Sequence, residues 1–241
     1  MTSKNQNGRG LTATWLLAFA ATIVVSGSAS AQTNAANDVV DTVVFWGLDY
    51  ARNDSSMHDI GLGAGFVTSL GNDMSAGGWT LSAYFSHSNS TTLGGSTNMW
   101  SGWSSLGHVW QLPGGYFTLG AGFAAEEGQG FGGFAQYGFE TTAANALYLQ
   151  SYGSFSGIND SIYALGRAGY MGQQYRYGIE TVYLDDNTAG QTLRYGVFMG
   201  GIDLGRDVSM IASLGYQDES QPGRSDGFYT AIGFSIPLSL R

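Results

Sequence analysis

The sequence predicts an all-β fold, an antiparallel transmembrane β-barrel of the bacterial outer membrane with about 12 strands. Three observations lead to this prediction. The chain begins with an export signal, it is poor in charge and rich in glycine and aromatic residues, and it repeats segments of about ten residues in which apolar and polar positions alternate.

Residues 1–31 have the features of a cleaved signal peptide. Lys4 and Arg9 make a positive start, residues 11–25 form an apolar run too short to span a bilayer, and Ala29-Ser30-Ala31 is a small-residue cleavage site. An uncleaved anchor, the alternative, would need a longer apolar run. We therefore expect an exported protein in which residues 32–241 form a single barrel domain.

The composition is unusual for a water-soluble domain. Charged residues make up 11% of the chain and aromatic residues 14%, with 38 glycines against 3 prolines. Soluble domains usually carry about a quarter charged residues. The chain has no cysteine, which excludes disulfides, metal thiolates and thiol catalysis.

The charge balance limits the partners. Without the signal peptide, 7 arginines remain against 18 acidic residues. An acidic chain of this kind is a poor ligand for nucleic acid, so we expect no nucleic-acid partner. No apolar run near 20 residues follows the signal peptide, which argues against a helical membrane span.

Alternating segments account for most of the mature chain. In one of them Phe117, Leu119 and Phe123 share a face, opposite Tyr116 and Thr118. Twelve such segments occur, at residues 39–52, 58–70, 78–88, 98–112, 115–126, 131–141, 146–156, 161–171, 174–185, 191–203, 208–218 and 227–238. An even number of strands of this length, with an apolar outer face, is typical of an outer-membrane barrel. A secreted antiparallel sandwich is the alternative, but the scarcity of charge favours the barrel.

The connections predict an orientation. If both termini lie in the periplasm, the outward connections should be longer than the inward ones. The predicted outward connections, which are also acidic in part, are residues 89–97, 127–130, 186–190 and 219–226, and the tight inward ones are residues 113–114, 142–145 and 172–173. The inward segment 71–77 is longer than this pattern predicts.

Six charged residues are predicted to face the barrel lumen, because they alternate with apolar residues on their strands. Two interpretations are open: a salt-bridge network that fills and stiffens the barrel, or a polar lining that guides a solute. The predicted lumen residues are Glu126, Glu140, Arg167, Arg176, Glu180 and Arg194.

An enzymatic function is not expected. Some outer-membrane barrels hydrolyse lipids with a serine nucleophile and a histidine base. His87 and Ser88 are adjacent on one segment, so their side chains should point to opposite faces, and His58 and His108 have no evident serine and acidic partners. We predict no catalytic residues, and a barrel lipid hydrolase remains the less favoured alternative.

The sequence indicates neither a metal site nor a cofactor. The acidic pairs at residues 126–127, 185–186 and 218–219 could offer oxygen ligands to a cation, but none has EF-hand spacing, and we interpret them as solvated loop tips. Gly61, Gly63 and Gly65 are interpreted as positions of tight curvature or close side-chain approach.

Several short motifs resemble one known family. They are residues 106–110 (LGHVW), 163–170 (YALGRAGY), 177–180 (YGIE), 194–198 (RYGVF) and 225–233 (SDGFYTAIG). These motifs resemble the cellulose biosynthesis protein BcsS family, whose members are exported, glycine-rich proteins associated with bacterial cellulose synthesis. The chain departs from the family at Ile179, where the family tends to have proline.

The resemblance implies an outer-membrane barrel tied to the synthesis, secretion or surface organisation of cellulose or a similar exopolysaccharide. Its expected partners are outer-membrane lipids and, through the resemblance, polysaccharide or cellulose-synthesis components. The alternative is a general small-solute channel with no link to polysaccharide. Whether the lumen is open or plugged is left undecided by the sequence.

Overall fold

A computed structural model describes residues 40–53, 57–71, 73–92, 95–187, 190–220 and 226–240. The predicted signal peptide lies outside these residues. They form twelve β-strands and one short 3-10 helix at Met74–Ala76. The strands are β1 (Thr42–Asn53), β2 (His58–Ser69), β3 (Gly78–Thr92), β4 (Gly95–Leu112), β5 (Gly115–Glu126), β6 (Gly130–Thr141), β7 (Ala146–Ser156), β8 (Ser161–Met171), β9 (Arg176–Asp186), β10 (Gly190–Asp203), β11 (Ser209–Glu219) and β12 (Gly227–Leu238).

The strands form a closed antiparallel barrel in which each pairs with its neighbours in the sequence. Strand β12 pairs with β1 along its whole length, from Thr42 opposite Leu238 to Asn53 opposite Gly227. Closure leaves the sheet without an edge, so the backbone groups are satisfied within the barrel. The predicted fold class is therefore confirmed. Below, the proximal end is the end where β1 begins and β12 finishes, and the distal end is the opposite one.

The prediction of a connection at residues 89–97 is wrong. Strand β3 continues to Thr92 and β4 begins at Gly95. The Asn89 amide donates to the Asn98 side-chain oxygen at 2.8 Å, and the Thr91 and Ser96 hydroxyls lie 3.1 Å apart. These residues extend the hairpin with polar side chains alone, so the alternation that indicates a strand is missing from the sequence.

The predicted difference in connection length is not seen among the connections that the structure describes in full. At the distal end, residues 127–129 and 157–160 form short turns, and at the proximal end residues 142–145 and 172–175 do the same. The lengths of these connections therefore do not orient the barrel. The predicted outward connections at residues 186–190 and 219–226 lie partly outside the described residues.

The two faces of the wall have different compositions, as strand alternation requires. Ile179 on β9 is 66% exposed on the outside, whereas the next residue, Glu180, is 5% exposed on the inside. Other exposed apolar residues on the outer face include Trp46, Leu62, Trp79, Phe85, Phe123, Leu147, Tyr177, Val197, Leu214 and Phe228. An apolar outer wall of this kind matches the requirement for contact with lipid. No helix among the described residues is long and apolar enough to cross a membrane.

The interior of the β1–β6 side is packed with aromatic rings. The rings of Phe45 and Tyr84 lie 6.1 Å apart, those of Tyr84 and Trp103 6.0 Å, and those of Trp103 and Phe134 4.8 Å, all of them stacked. A Cβ added at Gly63 would collide with the hydroxyl end of the Tyr84 ring. Glycine therefore makes room for the ring. The stacked rings form an apolar cluster in this side of the interior, next to buried serine side chains of β3 and β4.

Candidate functional site

Five of the six charged residues predicted for the lumen are buried inside the barrel. Glu140 is fully buried, and Arg167, Arg176, Glu180 and Arg194 are at most 5% exposed. The sixth residue, Glu126, ends β5 at the distal end and is half-buried on the inward face. The five buried residues lie on strands β6 and β8–β10, and of these five only Glu140 shares a strand with the stacked aromatic rings.

The proximal ion pair joins Arg176 on β9 to Glu140 on β6. Arg176 Nη1 lies 3.3 Å from Glu140 Oε1, and the guanidinium lies 5.6 Å from the centre of the Tyr148 ring. Two phenols complete the solvation of the carboxylate: Tyr116 donates to Oε2 at 2.5 Å and Tyr148 to Oε1 at 2.9 Å. A buried carboxylate with this many donors is held in one position.

The central ion pair joins Arg167 on β8 to Glu180 on β9, which lie directly opposite each other in the sheet. Arg167 Nε donates to Glu180 Oε2 at 2.6 Å, and Nη1 donates to the Gln150 side chain at 3.0 Å. Ser213 and Tyr229, on β11 and β12, each donate to the Glu180 carboxylate at 3.0 Å. Side chains of β7, β11 and β12 therefore form hydrogen bonds with this pair, which links the two sides of the interior.

The distal ion pair joins Arg194 on β10 to Asp49 on β1. Two guanidinium nitrogens donate to the two carboxylate oxygens, at 2.9 and 3.1 Å. Arg194 Nε donates to Gln217 at 3.2 Å, and the guanidinium lies 4.9 Å from the centre of the Tyr229 ring. The pair is bidentate, the geometry in which an arginine and a carboxylate interact most specifically.

The three pairs follow one another along the barrel axis. On β9, Arg176 begins the strand, Glu180 comes next, and Arg194 of β10 pairs with Val182, still nearer the distal end. We call these three ion pairs, Arg176–Glu140, Arg167–Glu180 and Arg194–Asp49, the polar lane. It runs lengthwise through the interior, from β6 and β9 near the proximal end to β10 and β1 near the distal end.

A cavity lies at each end of the polar lane. At the proximal end a cavity of about 170 Å³ reaches Arg176 and is also lined by Gln174, Asp203 and Ser209. At the distal end a space of about 10 Å³ is lined by Asp49 and other residues of β1–β3. Between the two cavities, the side chains of the central pair, 1% and 3% exposed, close the lane.

Several members of this network were missed in the sequence. Asp49 was missed although it is the single charged residue on the inward face of β1, where it alternates with the outward residues Leu48 and Tyr50. The alternation of inward and outward residues along β1 is enough to predict that the Asp49 side chain faces the lumen. Ser213 and Tyr229 carry no such signal, because an uncharged hydroxyl is equally common on either face of a strand.

The interpretation of residues 186 and 219 as solvated loop tips is wrong. Asp186 ends β9 and Glu219 ends β11, and they are 3% and 7% exposed on the inward face. Their neighbours Asp185 and Asp218 face outward. The strands continue further toward the distal end than expected, which turns one carboxylate of each pair into the barrel.

The three histidines lie on the outer face. His87 lies 4.1 Å from the Trp100 ring and His108 lies 4.5 Å from the Trp110 ring, measured between ring centres, and His58 lies beside Tyr50. Ser88, next to His87, is buried on the inward face. The two side chains therefore cannot act as a serine–histidine pair. Among the described residues no group of three or more His, Cys, Asp or Glu side chains is arranged to hold a metal ion.

Comparison with solved structures identifies similar barrels. An outer-membrane channel from Pseudomonas putida F1 superposes with a TM-score of 0.58 at 11% sequence identity, over 84% of this chain and 97% of the other. The KdgM porin superposes with a TM-score of 0.52 at 10% identity, over 82% and 99%. No protein-family model and no curated protein matches the chain. At these identities the comparisons establish the fold, which is that of outer-membrane barrel proteins.

Proposed function

We propose that this protein is a non-enzymatic barrel of the bacterial outer membrane that acts as a narrow channel for small polar solutes. The apolar outer wall and the similarity in fold to an outer-membrane channel and a porin support the location. The polar lane supports the channel, because it provides charged and hydrogen-bonding groups from the proximal cavity to the distal one.

One observation carries this proposal: the central ion pair, Arg167–Glu180, lies between the two cavities. A solute that leaves the proximal cavity must pass Arg167 and Glu180 to reach the distal end. Ion pairs with hydrogen-bonding neighbours can exchange partners with a hydrated solute, which an aromatic wall cannot do. The side chains of the central pair thus act as the constriction, and the structure corresponds to its closed state.

The test combines cell fractionation with conductance measurements. The mature protein should be recovered in the outer membrane and should change its gel position on heating, as closed barrels do. In planar bilayers it should give small conductance steps, and the double variant Arg167→Ala/Glu180→Ala should give larger ones. Removing both partners avoids leaving one buried charge unpaired.

The matched control is Phe134→Ala on the aromatic side. It also deletes a large inward side chain, but it leaves a cavity lined by apolar groups, and such cavities stay dry. Its conductance should therefore equal that of the unmodified protein. If neither the protein nor the double variant conducts, or if Phe134→Ala opens it as well as the double variant does, the polar lane is not the route.

A second candidate function is the association with an exopolysaccharide that the family resemblance implies. The β3–β4 hairpin supports it. Ser101 of β4 pairs with Glu126, the last residue of β5, and the part of β4 before Ser101 extends past β5 toward the distal side. Residues 74–125 contain no charged side chain. The outer face of the hairpin places exposed Trp100 and Phe85 below the amides of Asn89 and Asn98. Aromatic rings and neutral hydrogen-bonding groups suit an uncharged, hydroxyl-rich polymer such as cellulose.

This candidate can be tested with two tryptophans of the same strand. Trp100 and Trp110 both face outward on β4, near the distal and the proximal end. Cells carrying Trp100→Ala should retain less added cellulose than cells carrying Trp110→Ala at equal amounts of inserted protein. Equal retention by both variants and by cells without the protein would remove the polysaccharide candidate and leave the channel unaffected.

A further inference from the structure

The proximal cavity, of about 170 Å³, is much larger than the distal space of about 10 Å³. It lies between the β6–β7, β8–β9 and β10–β11 connections, and Gln173 and Asp203 on its rim are exposed. An engineered apolar cavity of about 150 Å³ is enough to bind benzene. The proximal cavity therefore has room for one six-membered ring, whose substituents can extend toward the open rim.

A β-bulge at Gly201 turns Asp203 into this cavity. The pairing of β10 with β11 shifts by one residue between Gly200 and Ile202, which makes Gly201 an extra residue with a φ of 74°. Beyond the bulge, Asp203 lies opposite Ser209 on the inward face of β11. In a strand without the bulge, Ile202 would take that place and Asp203 would face outward. The bulge therefore directs a carboxylate toward the interior, as bulges do beside active sites.

Two further contacts fix the rim around Asp203. Its Oδ1 atom accepts a 2.7 Å hydrogen bond from the Gly205 N–H, within the β10–β11 turn. A Cβ added at Gly201 would collide with the Gln174 carbonyl oxygen, so the bulge packs directly on the β8–β9 turn. The Asp203 carboxylate and the β8–β9 turn thus keep a fixed spacing, and the cavity is preformed, as small-molecule sites usually are.

The lining combines hydrogen-bond donors, acceptors and apolar groups. It includes Arg176, Gln174, Asp203 and Ser209 among the polar residues, and Met171 and Val208 among the apolar ones. A guanidinium only donates, a carboxylate only accepts, and an amide or a hydroxyl does both. A ring that carries hydroxyl groups matches this mixture, because each hydroxyl donates and accepts while the C–H faces of the ring are apolar.

We propose that the proximal cavity binds one neutral polyhydroxylated ring of the size of a monosaccharide, and that the Asp203 carboxylate accepts hydrogen bonds from two adjacent hydroxyl groups. The inference rests on the proposed channel function, because it names the solute class that is held on the proximal side of the central ion pair. A negatively charged solute would face Asp203 and Asp207, and a positively charged one would meet the Arg176 guanidinium at the inner end. A neutral solute avoids both repulsions.

The experiment measures binding without any current. Saturation-transfer difference NMR detects magnetisation that passes from the folded protein, held in a detergent without a sugar headgroup, to D-glucose, D-glucuronate or D-glucosamine. The three probes share one ring and differ in charge in mildly acidic buffer, where glucosamine is protonated. Glucose should give a signal that saturates on titration, and each charged probe should need at least about ten times the concentration, because like charges repel it from the site.

Asp203→Asn tests the residue that the bulge directs inward. Asparagine keeps a side-chain oxygen for the Gly205 N–H, so the turn is retained, but it lacks the charge that strengthens hydrogen bonds from hydroxyl groups. The affinity for glucose should fall about tenfold, the effect of one hydrogen bond to a charged group. The matched control is Asp218→Asn, which removes the same charge from the outward face of β11 near the distal end and should leave glucose binding unchanged. Heat modification on gels checks that both variants are folded.

The outcomes separate this inference from the channel function, because conductance in planar bilayers is measured on its own. A loss of glucose binding confined to Asp203→Asn supports the proposed site. No signal from glucose, stronger binding of either charged probe than of glucose, or an equal loss in both variants overturns it and leaves the channel intact. A protein that binds glucose but gives no current, even as Arg167→Ala/Glu180→Ala, overturns the channel and with it the role of the cavity as a solute site of a channel.

Discussion

The two terminal guanidinium nitrogens of Arg194 donate to the two oxygens of Asp49, at 2.9 and 3.1 Å, and thereby connect β10 to β1 across the intervening β11 and β12. The residues are 145 positions apart in the sequence. This contact can form only when the end of the chain has returned to its beginning. It therefore stabilises the closed barrel at the seam between β1 and β12.

Removing only one partner of this pair should be strongly destabilising, because a buried charge is left without compensation. We expect Asp49→Leu to lower the free energy of unfolding by about 3–5 kcal/mol. The double variant Asp49→Leu/Arg194→Met should recover most of that loss. Urea titration of the protein in detergent, followed by the gel shift of the folded form, measures both. A double variant as unstable as the single one would mean that the pair does more than balance charge.

The fold could be predicted from the sequence because lipid leaves few choices to a chain of this composition. Lipid-facing residues must be apolar and must alternate, so segments such as 115–126 and 161–171 agree with β5 and β8 at both ends. The prediction fails where lipid no longer imposes the pattern. Beyond Ser88 the β3–β4 hairpin continues in serine, threonine and asparagine, which form a strand without alternation.

The faces of β9 can be tested at two consecutive residues. Glu180 accepts hydrogen bonds inside the barrel, whereas Ile179 is exposed on the outer wall. Glu180→Gln should lower the temperature at which the folded band disappears, because Arg167 loses its charged partner. Ile179→Arg should reduce the amount inserted, since an arginine facing lipid near the midplane costs about 2–4 kcal/mol. If Glu180→Gln blocks insertion and Ile179→Arg is harmless, the faces are reversed.

The orientation of the barrel can be tested with single cysteines, because the chain has none of its own. Asn187 lies in a distal turn and Ala143 in a proximal one, and both are exposed. We expect a membrane-impermeant thiol reagent to label Asn187→Cys on intact cells and Ala143→Cys only after the outer membrane is broken. The opposite pattern would place the distal end in the periplasm. Gly223, a further position predicted to face outward, lies outside the described residues.

The candidate site was less predictable than the fold. Parity places a charged residue inside or outside, which suffices for Arg167 and Glu180, but it does not identify partners on distant strands. Asp49 and Arg194 meet because the sheet closes, and the distance between them depends on the whole register. The ends of β9 and β11 show a second limit: a shift of one residue in a strand boundary decides whether Asp186 is solvated or faces the lumen.

The close approach of β8 and β9 gives the last prediction. Gly169 and Gly178 face each other in the sheet, and a Cβ added at Gly178 would press on the Ala168 carbonyl oxygen more closely than real contacts allow. Because the obstacle is backbone, it can move only if the two strands move. Gly178→Ala should therefore destabilise the barrel by about 1–3 kcal/mol, the usual cost of overpacking.

The matched control for this substitution is Gly133→Ala on β6. An added Cβ there meets nothing within 4 Å, and the residue is exposed. Its gel-shift melting temperature should equal that of the unmodified protein, while that of Gly178→Ala should be lower. Equal melting temperatures for the two variants would show that β8 and β9 can separate at low cost. The strands that carry Arg167 and Glu180 could then move apart. In that case only the contacts between side chains, and not the spacing of the strands, would keep the polar lane closed.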